Sequence, residues 1–122
     1  MCIRDRATLD AIDDERLADR AADMGARLLD GLHRAAESHS CVAEVRGRGL
    51  MLAIEFAEGV ALTPRPDLAK GMLGEAMARN LLLLSCGTYG QVVRIIPPLV
   101  TTEEEVDLAL GAIGESLDAI GA

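Results

Sequence analysis

Apolar and polar positions alternate along this chain with periods that change from one stretch to the next. From Ala7 to about Ser38, Leu17, Ala21, Met24, Leu28 and Leu32 recur at spacings of three and four, as one face of an amphipathic helix. Asp14, Arg16, Asp23, Arg27, Asp30 and Arg34 occupy the opposite, solvated face, and His33 is expected to be an exposed helix residue. A break is expected near Asp13-Asp14, where Asp13, Asp14 and Glu15 would favour the N-terminal dipole of a new helix. After Ser38 to Ser40, Cys41–Val45 and Leu50–Phe56 read as strands joined by the turn Arg46-Gly47-Arg48-Gly49, with both glycines expected in left-handed positions. A loop from Ala57 to Pro66 follows. Asp67 is placed to cap a helix that carries Leu68, Met72, Leu73 and Ala76 and ends at Arg79-Asn80, where asparagine tolerates the left-handed conformation. Met72 and Met77 read as packing residues. Beyond Pro97-Pro98, Thr102 and Glu105 have the spacing of a capping box. The last helix then carries the stripe Val106, Leu110, Ile113, Leu117 and Ile120, and is expected to pack across a sheet.

The remaining stretch, Leu81 to Val100, breaks the alternation. Leu81 to Leu84 is an unbroken apolar run and reads as a strand buried on both faces. Cys86 to Gln91 carries Gly87 and Gly90, and Val92-Val93-Arg94-Ile95-Ile96 is β-branched apart from one charge. Two apolar runs about a glycine-bearing loop predict a hairpin. The order helix, two strands, helix, two strands, helix implies an α+β domain with helices packed on one face of a small, mostly antiparallel sheet.

Composition narrows the function classes. A formal charge of −8 and no basic cluster argue against nucleic-acid or anionic-membrane partners. No apolar run approaches a membrane span, and no signal-peptide pattern opens the chain. Cys2, Cys41 and Cys86 lack metal-ligand or redox spacing, and two histidines make a zinc site a poor expectation. The cysteines read as reduced thiols of a cytoplasmic protein. Cys86 has no histidine nearby in sequence and no motif that would make it a nucleophile. The basic glycine turn at 46–49 does not open a helix and matches no phosphate-loop spacing, so it reads as structural.

Arg94 is the anomaly. An arginine inside a β-branched strand either faces solvent, pairs with one of the chain's own carboxylates, or is held to receive a carboxylate from outside the protein. Its planar fork suits a bidentate contact of that last kind. Residue types alone leave these alternatives open.

The block LLLLSCGTYGQVVRIIPPL, with VAEVRGRGLMLAIEF upstream, resembles the C-terminal part of class III pyridoxal-phosphate-dependent aminotransferases, nearest to the 4-aminobutyrate aminotransferase branch. The resemblance runs from about Ala7 to Ile120. It implies the C-terminal small domain of a fold-type I aminotransferase over residues 7–122. It also implies that Arg94 binds the α-carboxylate of glutamate or 2-oxoglutarate. The cofactor would be pyridoxal 5′-phosphate, held mainly by a large domain absent from this sequence, and the full-length protein would be a homodimer acting on an amino acid and a 2-oxo acid. The single lysine, Lys70, does not match the family's cofactor-lysine motif, so no catalytic or cofactor-binding residue is assigned and the chain alone is expected to be inactive. Residues 1–6, MCIRDR, carry no cap or turn signal; they are expected to be an artefactual N-terminus and are set aside. The competing expectation is a stand-alone α+β module that binds an amino acid or carboxylate without catalysis. Such a module should bury its apolar surface, whereas a severed domain should expose patches of it.

Overall fold

The computed structural model describes residues 2–122 and contains four helices and five strands among them. α1 (Ile3–Asp14) and α2 (Leu17–Ala36) are separated at Glu15-Arg16, with Arg16 left-handed at φ 50°. α1 buries none of its residues. It already includes Ile3 to Arg6, and the Cys2 N–H donates to the Asp5 carboxylate at 3.2 Å. Met1, part of the span set aside above, lies outside the described residues.

β1 (Val42–Arg48) and β2 (Met51–Glu58) form an antiparallel hairpin, longer at the turn than the sequence pattern implied. Of the two turn glycines, Gly49 alone is left-handed, at φ 55°. Gly47 stays within β1, and its small size is needed for another reason: a Cβ there would sit 2.5 Å from the Met51 carbonyl oxygen. β3 (Thr63–Pro64) adds a two-residue pairing to the end of β2 inside the expected loop. α3 (Pro66–Ala78) is capped at Arg65, not at Asp67. Proline supplies the favourable start, and the Asp67 carboxylate is instead clamped by the Arg65 guanidinium at 2.6 and 2.9 Å. Asn80 is left-handed as expected, at φ 62°.

β4 (Leu84–Cys86) and β5 (Val92–Ile95) form the second hairpin, and the sheet order is β1-β2-β5-β4. α4 (Glu103–Ile120) begins at the capping box, with the Glu105 N–H donating to Thr102 Oγ1 and the Thr102 N–H to the Glu105 carboxylate.

The doubly buried strand expected at Leu81–Leu84 is not what forms. β4 starts only at Leu84, is a sheet edge, and pairs with β5 alone. Leu81 and Leu83 lean on the core while Leu82 and Leu84 remain 82% and 60% exposed. An edge strand with helices on one side has one face to bury, so the leucine run divides between a buried side and an open one.

The core lies between the sheet and the helices. Leu52, Ile54, Phe56, Val93 and Ile95 point inward from β2 and β5 to meet Leu28, Leu32, Leu68, Met72, Val106, Ile113 and Leu117. α4 contributes its stripe to this core while packing against α2 and α3. Glycine allows the tightest approaches: a Cβ at Gly25 would meet the Gly49 carbonyl oxygen at 2.2 Å, and one at Gly31 the Leu110 side chain at 2.3 Å. No helix among the described residues is long and apolar enough to cross a membrane.

Candidate functional site: the open face of the sheet

Because side chains alternate along a strand, placing Leu52, Ile54, Val93 and Ile95 in the core sends their neighbours to the other face. The register arranges that face in rows. Arg46 of β1 lies opposite Ala53 of β2, which lies opposite Arg94 of β5, which lies opposite Leu84 of β4. In the next row Glu44, Glu55, Val92 and Cys86 are aligned in the same way. On the other side of the arginine row, Arg48 faces Met51, next to Ile96. Two arginines thus flank the central strand, one strand away on each side.

Their surroundings differ. Arg46 Nη1 donates to the Glu55 carboxylate at 2.6 Å and to Glu44 at 2.7 Å. Glu55 also accepts from Gln91 Nε2 at 3.2 Å, and Gln91 Oε1 accepts the Tyr89 N–H at 3.1 Å. Through Gln91, which is 9% exposed, the glycine loop is folded down onto the sheet and covers Val92, leaving it 3% exposed. Gly87 is where that loop comes closest. Its φ is 87°, and a Cβ there would stand 2.9 Å from the Val92 side chain. The hydrogen bonds from Arg46 and then Gln91 hold the Glu55 carboxyl below the usual carboxylate range. Glu55 in turn raises the affinity of Arg46 for its proton.

Arg94 makes no ion pair or side-chain hydrogen bond among the described residues and is exposed. It borders a shallow cavity of about 300 Å³ together with Arg46, Met51, Cys86, Val92 and Ile96. The arrangement is a rigidly based guanidinium on a strand, with apolar walls and no internal counter-charge. Such a group can take a carboxylate in two parallel hydrogen bonds. A larger cleft of about 480 Å³ runs from Leu81–Leu83 to the start of α4. Its ionisable lining residue, Glu105, is committed to the helix cap, so the cleft offers apolar packing and little means of recognising charge.

The other sequence candidates fall elsewhere. Lys70 is exposed on α3, in the helix layer across the sheet from Arg94. His33 is exposed on α2. Cys86 lines the cavity without a histidine beside it. Among the described residues, no group of three His, Cys, Asp or Glu side chains is arranged to hold a metal ion. The described residues do not fit pyridoxal phosphate as a complete site, since the one lysine and Arg94 lie on opposite sides of the sheet and Arg46 is already neutralised by two carboxylates. Sequence reasoning missed Glu55 and Gln91 and placed Arg46 in a turn, whereas β1 continues through Arg48 and carries Arg46 on the sheet. Period-two counting along Glu44-Val45-Arg46 and Ile54-Glu55-Phe56 puts both charged sets on the face opposite the core, a signal present in the pattern; Gln91 sits in a loop and had none.

The class III aminotransferase family model matches residues 1–117. This chain belongs to that family. It is 35% identical over 114 residues to the 5-aminovalerate aminotransferase DavT of Pseudomonas putida, covering 93% of this chain and 27% of that protein. It is 36% identical over 118 residues to the 4-aminobutyrate aminotransferase GabT of Escherichia coli, covering 96% of this chain and 28% of that protein. An amine transaminase from an uncultivated Pseudomonas species, solved in its pyridoxal-phosphate-bound form, superposes with a TM-score of 0.84 at 30% identity, over 94% of this chain and 26% of that one. The chain therefore spans little more than a quarter of the length of the proteins it resembles.

Proposed function

We propose that this chain is the C-terminal small domain of a pyridoxal-phosphate-dependent transaminase. The full-length enzyme would move an amino group from an ω-amino acid of the 4-aminobutyrate or 5-aminovalerate type to 2-oxoglutarate. Arg94 is the residue that binds the α-carboxylate of glutamate and 2-oxoglutarate. The observation carrying this is the contrast on the open face: Arg46 is neutralised within the fold, while Arg94 has no internal partner and borders a cavity. A guanidinium left unpaired when that face is covered penalises substrates without the carboxylate, which is how a binding residue becomes a specificity residue.

Exposed apolar residues support a face that is normally covered. Met51, Leu84 and Ile96 flank Arg94 and are 66%, 60% and 51% exposed, the pattern expected of a severed domain more than of a self-sufficient module. In this reading the remaining three quarters of the enzyme supply the Schiff-base lysine and the phosphate site, the assembly is a cytoplasmic homodimer, and residues 7–122 alone are inactive.

The test is Arg94→Ala in a full-length enzyme carrying this segment. Losing a charge-assisted bidentate contact of about 1.5–3 kcal/mol should raise KM for 2-oxoglutarate and glutamate by roughly 10- to 150-fold. Cofactor retention, read from its absorbance, should stay at the wild-type level. Unchanged KM values would remove Arg94 from the site.

A further inference from the structure

Glu55 occupies a symmetrical position that the fold resolves in one direction. Ala53, two residues before it on β2, is flanked by Arg46 on β1 and by Arg94 on β5. Glu55 is therefore the diagonal neighbour of both arginines, within reach of either long side chain. The carboxylate is bound by Arg46 at 2.6 Å and by Gln91 at 3.2 Å, and it makes no hydrogen bond to Arg94. Glu44, directly opposite Glu55, supplies the second carboxylate on Arg46, so its charge is also drawn toward β1.

We propose that Arg46 and Gln91 are positioning residues that hold Glu55 away from Arg94, so that Arg94 remains available to a substrate carboxylate. Arg46 and Gln91 act here through Glu55, to which both donate, and not as the carboxylate's own partners. A carboxylate tethered one strand from Arg94 has an effective concentration that a dissolved 2-oxo acid cannot match, so a released Glu55 would occupy the site as an internal competitor. The apparent affinity of Arg94 for substrate then falls by the fraction of molecules in which Glu55 has crossed over. The downward displacement of the Glu55 carboxyl's proton affinity accords with a carboxylate held charged by these two donors.

This inference rests on Arg94 as the carboxylate site, and the experiment separates the two. In the full-length enzyme, Arg46→Met keeps much of the arginine stem while removing its charge. It should raise KM for 2-oxoglutarate roughly three- to tenfold, the size of a partly exposed ion pair acting in competition. The constants for an aldehyde acceptor with no carboxylate beside its carbonyl should not move, because Arg94 is not used there. The double variant Arg46→Met/Glu55→Gln should return KM for 2-oxoglutarate to near the wild-type value. If Arg46→Met folds poorly, Gln91→Leu releases the other hold; a smaller rise is expected, again abolished by Glu55→Gln.

A rise that persists in the Glu55→Gln background would overturn the proposal, as would equal damage with both acceptors, since either marks a structural defect. An unchanged KM in Arg46→Met and Gln91→Leu, with Arg94→Ala still impaired, overturns the positioning role and leaves the carboxylate site standing. If Arg94→Ala is itself unimpaired, both fall together.

Discussion

The two faces of the sheet are made by the same strands and carry opposite kinds of chemistry. Inward from β2 and β5, Leu52, Ile54, Phe56, Val93 and Ile95 are at most 5% exposed and meet apolar side chains from α2, α3 and α4. Outward, one residue away along the same strands, come Met51, Ala53, Glu55, Arg94 and Ile96, a mixture of charge and uncovered apolar surface. The inner face is complete: its side chains satisfy one another. The outer face holds one finished network, Glu44–Arg46–Glu55–Gln91, beside one unfinished group, Arg94. Burial on one face thus provides a platform stiff enough to hold a charge on the other without neutralising it. The division predicts that stability and recognition can be damaged separately.

The largest expected effect lies on the inner face. Phe56 is fully buried, so Phe56→Ala should cost about 3–5 kcal/mol of stability through lost transfer energy and the cavity left behind. Thermal or denaturant unfolding of the full-length variant measures it, and a loss below about 1 kcal/mol would show that the inner face is not the source of stability.

A smaller effect is expected from acid on the outer network. Glu55 has a folded-state proton affinity below its ordinary value of 4.5. Its contribution to stability is therefore fully present above pH 4.5 and is lost as pH falls from there through the lower folded value. The stability difference between wild type and Glu55→Gln should narrow over that interval and be flat above it. A difference independent of pH between 3 and about 7 would contradict a carboxylate held charged by Arg46.

The smallest effect sharpens the contrast most. Arg94→Ala should change unfolding stability by no more than about 0.5 kcal/mol, as expected of an exposed residue with no internal partner. A large loss would mean that Arg94 belongs to the framework, and the separation of the two faces would fail.

How much of this was legible beforehand depended on the range of the interaction. The stripe on α2, the capping box at Thr102 and Glu105, the left-handed Asn80 and the hairpin around Gly87 and Gly90 are local, and each follows from residues a few positions apart. The expected cap at Asp67 lies too late in the chain because α3 already begins at Pro66, whose fixed φ suits a first helical residue and leaves Asp67 inside the first turn. The leucine run at 81–84 has the pattern of a doubly buried strand, but hydrophobicity does not reveal whether a strand will be central or at an edge. That is decided by which strands it finds as neighbours.

The site divides in the same way. Arg94 could be singled out from its own strand, since a lone charge among β-branched residues is conspicuous in one dimension. Its availability could not. Whether a charge in a chain with twenty acidic residues finds one of them depends on the strand order β1-β2-β5-β4 and on the register that sets Glu55 diagonally between two arginines. By itself the amino-acid sequence determined the periodic faces, the capping box of α4 and the isolation of Arg94 among β-branched residues, because these depend on local stereochemistry and side-chain type. Only the tertiary structure decided that Glu55 bonds to Arg46 and leaves Arg94 free, because that outcome depends on Arg46 and Gln91, nine and thirty-six positions from Glu55, meeting its carboxylate across two strand pairings.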